Sequence, residues 1–164
     1  AIGIRDATSF QQVAMIKDLE ADEDDGEEES VARVTLYGFG TTVIRVVPRE
    51  MVEVWDLTDL ANPSMVRSWK TSSNAPASCI SHFGDDLLAI GFTDGIVRVW
   101  DIKGGFCVAN LKGQHSGIIS GLLFLPSGQL VSAGEDGRVV VWQLVGGKPG
   151  KAIKSMQPHK SAIT

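Results

Sequence analysis

Ile96-Val-Arg-Val-Trp-Asp-Ile102 is the stretch that decides the fold, because two related stretches occur elsewhere in the chain. They are Met51-Val-Glu-Val-Trp-Asp-Leu57 and Arg138-Val-Val-Val-Trp-Gln-Leu144. The three tryptophans, Trp55, Trp100 and Trp142, are 45 and 42 residues apart. A repeat of about 40–45 residues accommodates one sheet of four short strands. The spacing therefore predicts an all-β chain built from repeated four-stranded sheets.

Turn residues divide each of the last two complete repeats into four predicted strands. In the last complete repeat the strands are predicted at 118–125, 129–133, 138–144 and 151–156, and in the repeat before it at 76–83, 87–92, 96–102 and 106–112. Asp94-Gly95 and Asp136-Gly137 each separate a second strand from a third. Asp-Gly favours a tight hairpin, because the turn needs residues with positive φ. The strongly apolar second strands predict sheets that are covered on both faces.

The repeats also define the predicted organisation of the chain. We call each predicted four-stranded sheet a blade. Complete blades are predicted at 31–71, 72–112 and 113–157. Before them we predict the end of one blade at 1–17 and an acidic loop at 18–30, and after them the start of a further, truncated blade at 158–164. Nine of the twenty acidic residues lie between Asp18 and Glu29. Like charges at that density repel, so we expect a solvated loop, with a partner-binding acidic segment as the alternative.

Composition and motifs exclude several classes of function. The net charge is -5, but outside the acidic run eleven acids face fifteen Lys and Arg, a mild basicity that permits nucleic-acid contact without establishing it. Cys79 and Cys107 lack metal-ligand spacing and are interpreted as small core residues. No apolar run approaches the roughly 20 residues that span a bilayer. We find no phosphate-binding loop, nucleophile motif or metal cluster, and therefore expect no enzyme, no cofactor and no small-molecule substrate.

These repeats resemble the WD40 family of β-propellers, over nearly the whole chain. The last complete repeat offers His115, Ser132, Asp136 and Trp142, and the resemblance implies that they form a structural hydrogen-bonded tetrad rather than a catalytic triad. Other residues that the resemblance marks as defining blades are Trp55, Asp56, Asp94, Trp100, Asp101 and His159. Since such propellers close with about 4–8 blades, the chain corresponds to a partial set of about three to four blades. It starts at Ala1 rather than Met, and we expect a fragment.

Two departures from the WD40 pattern bear on the blades. The usual Gly-His pair is spread over Gly113-Gln114-His115. The preceding repeat has Ile90 at the position of the serine and no histidine near Asn74. That blade is therefore expected to depend on apolar packing instead of a complete tetrad.

A narrower resemblance rests on the order of motifs along the chain. Trp55-Asp56-Leu57, Val66-Arg-Ser-Trp-Lys70, Leu88-Ala-Ile-Gly91 and Val99-Trp-Asp-Ile-Lys-Gly-Gly-Phe-Cys107 are similar to the transducin-β-like WD40 subunits of the UtpB module of the small-subunit processome. This resemblance implies a nucleolar scaffold for small-subunit rRNA processing. Its partners would be proteins of a large assembly, with direct or indirect contact to U3 small nucleolar RNA and pre-rRNA, and no membrane.

Two alternatives stay open beside that function, both of them WD40 adaptors: a substrate receptor of a ubiquitin ligase and a chromatin-associated reader. Interfaces of such scaffolds use a few aromatic or Arg anchors, for which Phe92, Arg98 and Phe106 are candidates, with a place in the blade core as the equal alternative for two of them. The scattered cations are interpreted as solvated edge and loop charges, with RNA contacts as the alternative. These cations are Arg67, Lys70, Lys103, Lys112, Lys148, Lys151 and Lys154.

Overall fold

The computed structural model describes residues 2–5, 12–16, 35–46, 51–144 and 150–158, and every regular element in these ranges is a β-strand. Strands β1 (Ile2–Arg5) and β2 (Gln12–Ile16) pair as a hairpin. Three four-stranded sheets follow. Blade I contains β3 (Thr35–Phe39), β4 (Thr42–Val46), β5 (Met51–Asp56) and β6 (Ser64–Lys70). Blade II contains β7 (Ala77–Phe83), β8 (Leu87–Phe92), β9 (Val97–Asp101) and β10 (Phe106–Leu111). Blade III contains β11 (Ile119–Phe124), β12 (Leu130–Gly134), β13 (Val139–Gln143) and β14 (Lys151–Met156).

Each blade is an antiparallel meander in which neighbours in the sequence are neighbours in the sheet. The first strands of the three blades lie beside one another, since β7 contacts both β3 and β11. Successive sheets thus pack face to face around their first strands, as propeller blades do. The predicted fold class, an all-β partial set of four-stranded propeller blades, is confirmed.

The three blades repeat one strand register. The tryptophan of each third strand pairs with an apolar residue of the second strand: Trp55 with Val43, Trp100 with Leu88 and Trp142 with Leu130. Beside each tryptophan the outer strand carries a bulge, an extra residue that increases the local twist. The bulged residue is aliphatic in every blade: Val66, Val108 or Ile153.

Two of the hairpin turns form as the Asp-Gly pairs predict. Gly95 and Gly137 follow the aspartates and have φ of 81° and 76°, a region that glycine enters without steric cost. The carboxylate of Asp94 accepts the backbone N–H of Ile96, and that of Asp136 accepts the backbone N–H of Arg138. Each aspartate thereby fixes the start of its third strand.

The core lies between the blades rather than within them. One buried cluster joins blades I and II, with Ile44 and Val52 against Leu88 and Ile90. A second joins blades II and III, with Val97 and Val99 against Leu130, Val140 and Trp142. Full burial of such a side chain contributes about 1.5–3 kcal/mol, so packing between neighbouring blades is the main source of stability.

The burial of the second strands agrees with the prediction for β8 but only partly for β12. Residues Leu88 to Phe92 of β8 are buried on both faces. In β12, Val131 is half-buried although its counterpart in blade II, Ala89, is completely covered by blade III. Its cross-strand partner Leu123 is exposed. Burial on both faces therefore depends on having a sheet on each side, and within the described residues blade III has one only on the side of blade II.

The structure decides between the two alternatives for Phe92 and contradicts the interpretation of Cys107, and other predictions fall outside the described residues. Phe92, a candidate interface anchor, is 1% exposed and belongs to the core between blades I and II. Cys107 is exposed on the outer strand β10, whereas Cys79 packs against the core between blades II and III. Burial raises the pKa of the Cys79 thiol to about 11, so this thiol stays protonated at neutral pH. The acidic run at 18–30, Lys148 and His159 lie outside the described residues.

Candidate functional site

His115, Ser132, Asp136 and Trp142 form one chain of hydrogen bonds in blade III. The distance from His115 Nδ1 to Asp136 Oδ1 is 3.1 Å, and His115 Nε2 lies 2.8 Å from the hydroxyl of Ser132. Trp142 donates its indole N–H to the same hydroxyl at 2.8 Å. Because a carboxylate only accepts, Nδ1 of His115 donates to Asp136, and in the neutral imidazole Nε2 accepts the hydroxyl proton of Ser132. Every polar atom along this chain therefore has a partner.

The histidine and aspartate of this tetrad are inside the protein. The side chain of His115 is 0% exposed and that of Asp136 is 6% exposed. The second carboxylate oxygen of Asp136 accepts the backbone N–H of Ser116 at 3.0 Å. Asp136 thus connects the loop before β11 to the hairpin before β13. The arrangement is structural, since a substrate cannot reach Ser132, which is itself fully buried.

These contacts predict how stability depends on pH. Burial raises the pKa of Asp136, but hydrogen bonds from Ser116, Arg138 and His115 outweigh it, and the pKa lies below its ordinary value. A carboxyl with a depressed folded pKa stabilises the fold above its unfolded pKa of about 3.9, and this contribution is lost as pH falls through the folded pKa. Asp136→Asn removes the titrating group. We expect the stability difference between wild type and Asp136→Asn to shrink below about pH 4 in urea denaturation. A difference that stays constant with pH would contradict this role for Asp136.

Blade II lacks the tetrad, as the sequence predicts. Ile90 occupies the register position of Ser132, and Trp100 packs edge-on against Phe92 with ring centroids 6.4 Å apart. Arg98 donates to the backbone carbonyl of Thr71 at 3.0 Å and places its guanidinium 5.3 Å from the centre of the Phe92 ring. Arg98 therefore fastens blade II to the segment that follows blade I, and it is not a free interface anchor.

Blade I contains an ion pair that the sequence analysis missed. Arg45 occupies the register position of Ser132, and its cross-strand partner is Glu53. Arg45 Nη1 lies 3.2 Å from Glu53 Oε2, with both side chains about nine-tenths buried. The same carboxylate accepts the indole N–H of Trp55 at 3.0 Å. In blade I a carboxylate thus accepts the tryptophan N–H that a hydroxyl accepts in blade III.

The aspartates that follow the first two tryptophans hold the turns before the outer strands. Asp56 accepts the backbone N–H of Thr58 at 2.9 Å and the hydroxyl of the same residue at 2.6 Å. These bonds lower the pKa of Asp56, with the Thr58 hydroxyl as the largest cause. Asp101 accepts the backbone N–H of Gly104 in the corresponding turn of blade II. These residues shape turns and contact no core polar group.

Residues that remain available to a partner lie on edges and turns. Phe106, at the start of β10, is 57% exposed, so it is the one of the three proposed anchors that a partner could cover. Six of the cations that were predicted to be solvated lie in the described ranges, and all six are exposed. They are Arg67, Lys70, Lys103, Lys112, Lys151 and Lys154. Within the described ranges, no group of three or more His, Cys, Asp or Glu side chains is arranged to hold a metal ion. The same residues contain no helix long and apolar enough to cross a bilayer.

A comparison with family models identifies one repeat of known type. Residues 105–143 match the model for the WD domain, G-beta repeat. This stretch runs from the turn before β10 to the end of β13, and it includes all four members of the tetrad.

Several curated proteins resemble part of the chain. The WD repeat and SOCS box-containing protein 1 of Danio rerio is 36% identical over 85 residues, which is 49% of this chain and 19% of that protein. The p21-activated protein kinase-interacting protein 1-like of Gallus gallus is 33% identical over 91 residues, 55% of this chain and 24% of that protein. The guanine nucleotide-exchange factor SEC12 of Mus musculus is 42% identical over 73 residues, 43% of this chain and 17% of that protein. The chain thus matches about a quarter or less of these relatives' lengths.

Solved structures with the same fold are found over most of the chain. The computationally designed Ika8 protein is 25% identical with a TM-score of 0.65, covering 80% of this chain and 38% of that chain. A chain of the Mitotic Checkpoint Complex is 20% identical with a TM-score of 0.67, covering 83% of this chain and 40% of that chain. At this identity the second likeness concerns the fold alone.

Proposed function

We propose that this chain is part of a non-enzymatic WD40 scaffold that holds other proteins together during small-subunit rRNA processing, in an assembly that contains U3 small nucleolar RNA. The observation that carries the scaffold function is the burial of the tetrad. The His115–Ser132–Asp136 constellation holds blade III together, with the histidine side chain 0% exposed. The side chains left for function are those of the turns and outer strands, which suit docking.

The ribosomal part of the proposal has a different support. It rests on the ordered motifs from Trp55 to Cys107 that are similar to WD40 subunits of the UtpB module. We propose a nucleolar location on the same ground. Direct contact with U3 RNA or pre-rRNA would use the exposed cations of the outer strands, such as Lys70 and Lys154.

A second candidate function is an adaptor of a ubiquitin ligase. The observation that favours it is the similarity to proteins named for both WD repeats and a SOCS box, found in Danio rerio and Homo sapiens among others. The two functions use the same architecture and differ in the complex that the blades join.

Affinity purification separates these functions. We expect the tagged full-length protein to recover small-subunit processome proteins together with U3 RNA, and its depletion to slow early cleavage of pre-rRNA. Ribonuclease treatment of a matched sample distinguishes protein contacts from those that RNA mediates. Recovery of ubiquitin-ligase or chromatin components without nucleolar proteins would contradict the processome function and leave the fold unaffected.

A further inference from the structure

A cleft of about 280 Å³ opens between blades I and II. Each blade has two ends, and the cleft lies at one of them. At this end the first strand turns into the second, and the third strand turns into the fourth. Blade I contributes the turn before β4, the end of β5 and the outer strand β6, while blade II contributes Asp85, Ile102 and Lys103. The tetrad has no part in this cleft.

One wall of the cleft is apolar and held in place. Val54 and Ile102 belong to the buried cluster between the two blades. The indole N–H of Trp55 is already donated to Glu53, so its ring is fixed in orientation. Val66, the bulged residue of β6, is 60% exposed and extends this wall to the surface. A side chain that entered the cleft would therefore gain burial against a preformed apolar surface.

The rim of the cleft is negative. Asp56 and Asp85 line it, and the hydrogen-bond partners of Asp56 are uncharged threonine groups. The cation in the lining, Lys103, is paired with Asp86 at 2.7 Å. The pKa of Lys103 is raised by this hydrogen bond to Asp86 and also by the charges of Asp85 and Asp101. A positive charge is thus stabilised here, and the carboxylates in and beside the lining, Asp56, Asp85, Asp86 and Asp101, outnumber Lys103, the cation in the lining.

We propose that this cleft binds an extended segment of a partner protein in which an aliphatic side chain is flanked by Lys or Arg. The aliphatic group packs on Trp55 and Val66, and the cation lies against Asp85 and Asp56. The same carboxylates repel phosphate, so a nucleic-acid strand is disfavoured at this end of blades I and II. The proposal rests on the scaffold function and names the class of partner that this part of the scaffold receives.

Fluorescence anisotropy with the purified full-length protein tests the proposal. The probe is a labelled peptide with a central Lys-Leu-Arg between Gly and Ser residues; its controls carry Glu-Leu-Glu or Lys-Ser-Arg at the same place. We expect the first peptide to bind, and both controls to bind at least about tenfold more weakly, because one removes charge complementarity and the other the apolar contact. Asp85→Asn should weaken binding about two- to fivefold.

The chain offers a matched pair of surface variants for the apolar contact. Val66 and Ile153 are equivalent bulged residues on the outer strands of blades I and III, and they are 60% and 51% exposed. Val66→Lys should reduce affinity about tenfold or more, whereas Ile153→Lys should leave it unchanged, and both should melt as wild type does. Equal effects of the two variants, or equal binding of the Lys-Leu-Arg and Glu-Leu-Glu peptides, would overturn the proposal. Because the assay needs only the purified protein and a peptide, its outcome is independent of which complexes co-purify.

Discussion

Trp142→Ala is expected to reduce the free energy of unfolding by about 3–5 kcal/mol, the cost of truncating a large core aromatic. Trp142 is 3% exposed and packs in the cluster that joins blades II and III, so its removal leaves a cavity between two sheets. It also deprives Ser132 of the indole N–H that donates to its hydroxyl. Both effects act on the interface that stabilises blade III.

Urea denaturation of the purified full-length protein measures this loss, and two further variants divide it into parts. Trp55→Ala removes the same side chain from a half-buried position and should cost less. Ser132→Ala leaves the ring of His115 and the indole of Trp142 without their shared partner and should cost about 1–3 kcal/mol. If the free energy of unfolding of Trp142→Ala lies within about 0.5 kcal/mol of the wild-type value, as for a surface substitution, then the placement of Trp142 between the blades is wrong.

The spacing of three tryptophans was sufficient to predict the fold because the second and third of these repeats carry their own turn signals. Asp94-Gly95 and Asp136-Gly137 fix hairpins locally, so the second and third strands could be located without tertiary information. The tetrad was also predictable, since its members stand at distances from Trp142 that the WD40 resemblance supplies. Local signals and a repeat of known length thus determine most of the architecture.

The contacts between blades were harder to predict, because they depend on which sheet lies on each side. Phe92 is the last residue of β8, and in the sequence a core aromatic and an interface aromatic look alike. Only the packing of blade I against blade II shows that Phe92 is a core residue. Cys107 is small and apolar, but it is exposed near the start of the outer strand β10, whereas Ala109 and Leu111 of the same strand are buried. Sequence alternation identifies the two faces of a strand without saying whether a neighbour buries them.

The ion pair of blade I had a signal in the sequence that a comparison of the repeats would have revealed. The residue ten positions before each tryptophan is Arg45, Ile90 or Ser132, and the residue two positions before it is Glu53, Arg98 or Val140. Opposite charges occupy both positions only in blade I. Because these positions pair across the second and third strands, that combination predicts a cross-strand ion pair.

Removing one member of this pair is expected to produce the second large loss of stability. Glu53→Ala leaves the buried charge of Arg45 without this counter-ion and removes the acceptor of the Trp55 indole N–H. Breaking a buried ion pair in this way costs about 3–5 kcal/mol, because the remaining charge keeps its desolvation penalty. Replacing both Arg45 and Glu53 with leucine removes both charges together, so the double variant should be more stable than Glu53→Ala.

A double-mutant cycle with Arg45→Leu and Glu53→Leu measures the coupling by urea denaturation. The exposed pair of Lys103 and Asp86 serves as a control, since its side chains are 72% and 66% exposed and water screens their charges. We expect strong coupling between Arg45 and Glu53 and little between Lys103 and Asp86. If the effects of the two leucine substitutions on the free energy of unfolding simply add, then Arg45 and Glu53 do not stabilise each other. The ion pair would then not explain why blade I has a buried arginine at the position that Ser132 occupies in blade III.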